Sequence, residues 1–327
     1  MISLFSKKEA VSIVMPMRNA STTVVFALES IERQEYPVQE VLLFDNASSD
    51  NSVEIVLNYM KKSRIPVSLV RRKENMGVGT NFNEGVSKSK SSIVVLMHSD
   101  CSLATEKELE KLTRPLKEDS SVVAAFPTIF LLESVWKNYG FWEKYFFARQ
   151  TGTSIAGFTT KFDAVRRDVY LKLGGFDMEN FGMGGEDSDL LNRLEKVGRV
   201  VKSSARVTHL HYLGEGYSLN KLLAKQKSYA KTFGRVIRMR GISLINNGLI
   251  LLVKPGLAIL PFLPSFHYVG LVLIILYSFL YTKKMFMTKA TLRDPRILVL
   301  PFLNIFSLYY ETFWIIESFL FGKNNIE

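Results

Sequence analysis

The segment Glu40-Val41-Leu42-Leu43-Phe44 is an apolar run too short for a helix, and it stops at Asp45-Asn46-Ala47-Ser48-Ser49-Asp50. It reads as a buried strand that ends in a polar loop. The same pattern recurs on both sides. Upstream, Val11-Ser-Ile-Val-Met-Pro16 is a strand ended by proline, followed by the turn Arg18-Asn19-Ala20-Ser21. A helix then runs over 22–33, with Val25, Leu28 and Ile31 on one face, and Tyr36-Pro37 breaks it. Downstream, 52–62 is helical and 66–70 is a third strand. Asn75-Met-Gly-Val-Gly79 opens a helix through Val86, and 92–97 is a fourth strand ending in His98-Ser99-Asp100. Strands alternating with helices in this way predict an α/β fold with a mainly parallel central sheet. Asn19, Asp45, Asp50 and Asp100 then gather at the carboxyl ends of strands, where open α/β sheets bind ligands.

Beyond residue 100 the pattern predicts a helix over 103–116, a strand over 122–126, a strand over 157–162 and a short helix over 166–173. The aromatic stretch Phe130, Trp136, Tyr139, Phe141, Trp142, Tyr145, Phe146, Phe147 has two readings: core packing, or a surface for an acceptor or a membrane interface. Gly174-Gly-Phe-Asp177 leads into Gly182-Met-Gly-Gly-Glu-Asp-Ser-Asp189, where a glycine loop delivers Glu186, Asp187 and Asp189 to the start of a helix. Carboxylates there satisfy free backbone N–H groups, and they are also well placed as a general base. Arg199–Lys202 and Ala205–His209 read as closing strands.

The chain has 327 residues and a formal net charge of +11, a balance that suits nucleic acid, an anionic membrane or phosphorylated substrates. Much of the excess lies in 221–240, which holds Lys221, Lys225, Lys227, Lys231, Arg235, Arg238 and Arg240 and no acid. Leu222, Leu223, Tyr229, Phe233, Val236 and Ile237 alternate with these charges, the pattern of an amphipathic helix on anionic lipid. Three apolar stretches follow at 249–264, 266–281 and 297–321, the first interrupted by Lys254-Pro255 and the last containing Glu311 and Glu317. The third is long enough to span a bilayer; the first two suggest a hairpin or a re-entrant segment. Lys283, Lys284, Lys289, Arg293 and Arg296 before the third place that linker in the cytoplasm by the positive-inside tendency. Residues 1–10 are charged and the apolar run after them is short, so no signal peptide is expected and the N-terminal part is expected in the cytoplasm. The single Cys101 excludes an internal disulfide. No P-loop occurs, and Gly77-Val-Gly79 lacks the third glycine of a dinucleotide fingerprint. The expected division is 1–217 for the α/β domain, 218–242 for the basic interfacial helix and 243–327 for a membrane region of two to three helices.

These parts suit transfer from a nucleotide sugar. Asp45 can accept from a base N–H. Asp100, with His98 nearby, can offer ligands to Mg²⁺ or Mn²⁺, and His209 or His211 can complete the shell. Asp187 can take a proton from an acceptor.

The chain resembles the family 2 glycosyltransferases of GT-A fold. The resemblance rests on Val11-Ser-Ile-Val-Met-Pro-Met-Arg-Asn19, Phe44-Asp-Asn-Ala-Ser-Ser-Asp-Asn-Ser52, Asn75-Met-Gly-Val-Gly-Thr-Asn-Phe-Asn-Glu-Gly85, His98-Ser-Asp100, Ala164-Val-Arg-Arg-Asp168, Gly174-Gly-Phe-Asp177, Gly185-Glu-Asp-Ser-Asp-Leu-Leu-Asn-Arg-Leu194 and Val207-Thr-His209. It covers residues from about 10 to about 215 and implies a nucleobase contact by Asp45, with Pro16 and Asn19 lining the same pocket. It further implies donor and metal binding by Asp100 and catalysis by Asp187 as base. Gly184, Gly185, Glu186, Asp189 and Arg193 are expected to shape and orient the loop. Two departures matter: His98 stands where the first acid of the family's D-x-D motif falls, and Lys225-Gln-Lys-Ser-Tyr229 lacks the Q-x-x-R-W of processive members. The implied activity is inverting transfer of one sugar from a UDP- or GDP-sugar, with Mn²⁺ or Mg²⁺, to a polyprenyl phosphate or lipid-linked glycan. The implied place is the cytoplasmic side of a cell membrane crossed more than once, with no nucleic-acid partner. The competing reading is a membrane-anchored nucleotide-sugar-binding subunit without activity, supported by His98.

Overall fold

The computed structural model describes residues 9–181, 184–210, 217–241 and 248–322. His211, Gly182 and Met183, singled out above, lie outside the described residues. In chain order the elements are β1 (Val11–Met17), α1 (Val24–Glu32), β2 (Val38–Asp45), α2 (Ser52–Met60), β3 (Val67–Arg71), α3 (Val78–Lys88), β4 (Ile93–Met97), β5 (Cys101–Leu103), α4 (Glu108–Glu118) and β6 (Val122–Leu131). They continue with α5 (Phe141–Phe147), β7 (Ser154–Ala156), β8 (Phe162–Arg166), α6 (Arg167–Lys172), α7 (Met178–Phe181), α8 (Glu186–Glu195) and β9 (Arg199–His209). The last are α9 (Leu219–Arg240), α10 (Gly248–Ile259), α11 (His267–Leu280), α12 (Lys283–Met287), α13 (Lys289–Leu292) and α14 (Leu300–Phe321).

The chain divides into two compact units. The first comprises 1–131, 154–178 and 186–212 and holds one sheet in the order β3-β2-β1-β4-β8-β6-β9-β5, with β7 paired to β6. β1 pairs in parallel with β2 and β4, and β2 with β3. β8 is antiparallel to β4 and β6, and β5 to β9. The expected mainly parallel sheet is therefore mixed. β6 pairs in parallel with β9, whereas β7 and β8 follow β6 with no crossover helix of the same unit between them and pair with it antiparallel.

All seven residues of β1 are buried, as a central strand covered on both faces requires. Val11, Ile13 and Met15 join Val24, Leu28, Val41, Leu43 and Val95 in one core. Ser12, also buried, is satisfied by Glu40 at 2.9 Å and Ser91 at 3.0 Å. Gly85 of α3 lies so close to the sheet that a Cβ there would stand 2.2 Å from Val14 Cγ1 and 2.9 Å from Phe44 Cε2.

The second unit comprises 132–153, 179–185 and 213–327. Its core joins Trp136, Tyr139, Phe141 and Tyr145 to Leu222, Tyr281, Met285 and Leu300, so half of the aromatic stretch packs as core. Among the described residues one helix, Pro295–Phe321, is long and apolar enough to cross a membrane. The two preceding apolar stretches form Leu252–Phe262 and Pro264–Leu280, bent by 100° at their junction. α10 has 12 residues and α11 has 14, about 18 and 21 Å, so neither alone reaches across about 30 Å of hydrocarbon.

Gly85→Val is expected to lower stability by about 1–3 kcal/mol, because backbone-anchored α3 cannot yield to the new methyls. Urea unfolding would measure it; unchanged stability would mean that α3 moves off the sheet freely.

Candidate functional site

The turns after β1 and β2 are tied by side chains reaching for backbone. Ser52 Oγ accepts from Ala20 N at 2.7 Å, and Asn19 Oδ1 accepts from Ser49 N at 2.8 Å. Asp50 accepts from Ser21 N at 3.1 Å and Ser52 N at 3.0 Å, and from the Ser52 hydroxyl. Burial would raise Asp50, but the bonds from Ser52 and Ser21 more than offset it and hold the carboxyl below its usual range. Asp50 is thus a clasp between two strand ends. Asp45 is 3% exposed and its Oδ1 accepts from Ser48 N at 3.2 Å, leaving Oδ2 for another donor. Asn46 continues the bracing: its N donates to Met17 O at 2.7 Å, its Nδ2 to Asn75 Oδ1 at 2.5 Å, and its Oδ1 accepts from Met76 N at 2.8 Å.

A cleft of about 180 Å³ opens at these strand ends, lined by Pro16, Arg18, Asn46, His98, Ser99 and Asp100 among others. Pro16 and Asp100 of the expected donor set are there; Asn19 and Asp45 are not part of its lining. Asp100 follows β4 directly, and its Oδ2 accepts from His209 Nε2 at 3.0 Å. Cys101 lies opposite His209 in the β5–β9 register, and Leu210 N bonds Asp100 O at 2.8 Å. Burial would raise the Asp100 carboxyl. The His209 bond and the charges of His209, His98 and Lys161 outweigh that and hold it well below the usual carboxylate range. Asp100 is an anion at any working pH.

His98 stacks on Phe82 with centroids 6.0 Å apart, and its Nε2 lies 2.9 Å from Thr160 Oγ1. The Thr160 hydroxyl donates its one proton to Thr159 O at 2.6 Å, so Oγ1 must accept from His98 Nε2–H. Burial first, and the Lys161 charge second, push His98 down to about 4. The ring is therefore neutral at pH 7 with its lone pair on Nδ1. Thr160 sits at φ 61°, and this conformation is pinned by Asp163, whose Oδ2 accepts from Thr159 N at 2.8 Å and Thr160 N at 2.5 Å. Asp163 is fully buried. Burial, and Asp187 more weakly, push it up to about 8 against the pull of the two N–H bonds and Lys161.

Glu186 and Asp187 open α8. Asp187 Oδ1 accepts from Ser188 N at 2.7 Å, a local turn at the helix start. Burial is the main cause that raises Asp187, and burial followed by the Asp187 charge pushes Glu186 up to about 7. Asp189 is buried and paired with Arg193, whose Nη1 donates to Leu173 O at 2.8 Å and Nη2 to Gly175 O at 2.7 Å. This pair fastens α8 to the Gly174–Gly175 turn. Gly184 and Gly185 have φ 140° and 84°, a backbone that favours glycine, and they belong to the second unit.

Lys161 was not foreseen from the sequence. Its carbonyl accepts from His98 N at 3.3 Å, and its charge acts on His98, Asp100, Asp163, Glu186 and Asp187. It is a cation common to Asp100, Asp163, Glu186 and Asp187. Asp163 and Asn46 were missed as well. Asp163 stands alone in an apolar strand, a signal that a buried carboxylate has a task; Lys161 has no sequence signal of its own.

Among the described residues no group of three or more His, Cys, Asp or Glu is placed to hold a metal. His98 and His209 both have Nε2 engaged, with Thr160 and Asp100 respectively. Asp100, ionised and facing the cleft, fits the single-carboxylate mode in which a divalent ion takes its other oxygens from a bound diphosphate.

Residues 12–174 match the family model described as glycosyl transferase family 2. Over 116 residues the chain is 30% identical to glycosyltransferase GlyG of Streptococcus pneumoniae serotype 4, covering 35% of this chain and 38% of that protein. The match thus spans well under half of that relative's length. The solved structure of mannosyltransferase PcManGT from Pyrobaculum calidifontis in complex with GDP-Man and Mn²⁺ aligns with TM-score 0.58 and 18% identity, over 97% of this chain and 89% of that one. GalNAc-T7 with UDP, GalNAc and Mn²⁺ aligns with TM-score 0.52 and 16% identity, over 71% and 51%. At these identities the likeness establishes the fold, which is of GT-A type.

Asp163→Asn tests the buried acid. The folded protein favours its protonated form, so wild-type stability falls as pH rises from near 3.8 to about 8. Asn keeps an acceptor for both N–H groups and carries no charge. The variant is expected to gain more than about 1 kcal/mol over wild type at pH 8 relative to pH 4, read by thermal unfolding across that window. Parallel pH profiles would show that Asp163 ionises freely.

Proposed function

This chain carries a glycosyl transferase family 2 domain, and we propose on that premise that it moves a single sugar, with inversion, from a nucleotide-sugar donor to a lipid-linked acceptor. The observation that carries the reading is the grouping of ionised Asp100 and protonation-prone Asp187 around one cation, Lys161. One end of that group suits a diphosphate and the other suits an acceptor proton.

The donor's diphosphate enters beside Asp100, with the sugar's anomeric carbon directed toward Asp187. A divalent cation held by Asp100 would neutralise the charge that develops on the leaving diphosphate. Lys161 adds a fixed positive charge to the same end. His209 holds Asp100 in one rotamer, and neutral His98 offers Nδ1 as an acceptor to a donor hydroxyl. Asp45 Oδ2 is open to a base N–H of uracil or guanine. Asp187 takes the proton of the acceptor hydroxyl as that oxygen bonds to the anomeric carbon and the bond from that carbon to the diphosphate oxygen breaks. If the acceptor is a phosphate, no proton moves and Asp187 serves to orient it. Absence of the Q-x-x-R-W signature favours one transfer per acceptor.

A lipid-linked acceptor is supported by the second unit. Its 22-residue basic helix α9 and the exposed apolar side chains of α10, α11 and α14 suit an anionic membrane surface on the cytoplasmic side.

Asp187→Asn is expected to lower kcat by roughly 10²–10⁴-fold while donor binding changes less than about threefold. Because Asp187 is raised, wild-type turnover should fall with acidification already above the ordinary carboxylate range, and this limb should vanish in the variant. Release of nucleoside diphosphate from UDP- and GDP-sugars in detergent with Mn²⁺ would measure both. Full turnover in the variant removes Asp187 as the base.

A further inference from the structure

α14 is the one described helix long and apolar enough to span a bilayer, yet its neighbours are wrong for a span. Its inward face mixes Leu300, Leu308 and Ile315 with the buried polar residues Asn304, Ser307, Thr312 and Ser318. Asn304 Nδ2 donates to Ser278 O at 2.7 Å and Thr282 Oγ1 at 2.9 Å, and Ser307 bonds Tyr145 at 2.8 Å. Its outward face is apolar from one end to the other: Leu298 just before it, then Phe302, Phe306, Phe313, Leu320 and Phe321 are all exposed. This inside-out pattern marks a helix that meets hydrocarbon along one side.

The opposite side meets charge in its second half. Glu311, at the helix midpoint, pairs with Lys254 of α10, and Lys254 also donates to Tyr281 at 3.2 Å. One turn on, Trp314 lies under Lys227 at 3.9 Å and Lys231 at 4.6 Å. Glu317 pairs with Lys231 at 3.4 Å, and Ser318 Oγ donates to Lys231 O at 2.6 Å. The contact between α9 and α14 is intimate: a Cβ on Gly234 would stand 2.3 Å from Ile315 O. α9 cannot be peeled away without breaking this seam. Were α14 to cross a bilayer, Glu311 with Lys254 would sit near the midplane, where ionisable groups are costly. Were it to lie in the plane of one leaflet, the phenylalanines would face acyl chains and α9 would face headgroups and water. The 100° bend between the α10 and α11 segments fits the same arrangement, since each short arm can dip into one leaflet without crossing.

We propose that the second unit docks on a single leaflet, with α14 lying along the membrane plane and not across it. This rests on the membrane reading given above and specifies its form. The occupant of the apolar face is an anionic lipid surface, for α9 carries seven lysines and arginines and no acid between 221 and 240.

The test is sidedness. In a Cys101→Ser background, single cysteines are placed before α14 (Arg293→Cys) and beyond its end (Asn325→Cys). Sealed membrane vesicles from expressing cells are treated with a membrane-impermeant maleimide, and each labelling yield is divided by that in detergent. The in-plane arrangement predicts that both thiols react from one and the same side. Reaction from opposite sides overturns it and makes α14 a span. Recovery of the full-length chain in the soluble fraction, without flotation on vesicles containing phosphatidylglycerol, overturns the membrane reading itself.

Discussion

The bond between Asp100 and His209 organises the catalytic unit. It joins the end of β4, where the chain must turn, to the end of β9, the last strand of the sheet. The β5–β9 pairing and the Leu210 N to Asp100 O bond lock the same corner through backbone. A carboxylate so held loses little further freedom when it meets a ligand, so its affinity is not spent on ordering. The same bond keeps Asp100 ionised against the cost of its partial burial. Position and charge of the residue most suited to a donor diphosphate thus come from one contact.

Around this anion the unit sorts its acids by environment. Asp100 is pulled down; Asp187, Glu186 and Asp163 are pushed up. Burial raises all four and Lys161 lowers all four; the His209 bond tips Asp100 downward, while burial prevails at the other three. A firmly ionised carboxylate and one that takes a proton more readily therefore coexist at one pH. Asp163 has a different task. Through Thr160 it fixes which nitrogen of His98 carries the proton, and so turns the departure from a D-x-D pattern into a neutral imidazole with a defined acceptor.

The sequence read well where structure is local. β1 to β4, their helices and the polar residues just past each strand follow from apolar period and turn chemistry, and each appears within a few residues of expectation. Expectation failed where long-range pairing decides. A strand expected over 157–162 is β8 at Phe162–Arg166, and two closing strands are the single β9, because partners chosen across the sheet set their limits. Lys161 carries no periodicity and belongs to no motif, so only proximity reveals it. His98 and His209 looked alike as ligands; the hydroxyl of Thr160 and the carboxylate of Asp100, distant in sequence, claim the nitrogens.

The helical unit shows why hydropathy alone cannot choose between a span and an in-plane helix. Both need about twenty apolar residues, and α14 has them. The choice lies in what covers the remaining face. A spanning helix in a bundle is covered by other apolar helices; α14 packs on apolar α10 and α11 but also on basic α9, whose lysines lie over Trp314 and bond Glu317. The glutamates that looked like blemishes in an apolar run are contact points, Glu311 with Lys254 of α10 and Glu317 with Lys231 of α9. On the in-plane reading the acids, the basic helix and the outward phenylalanines satisfy one condition: one side of α14 packs on a charged helix layer and the other is left for acyl chains.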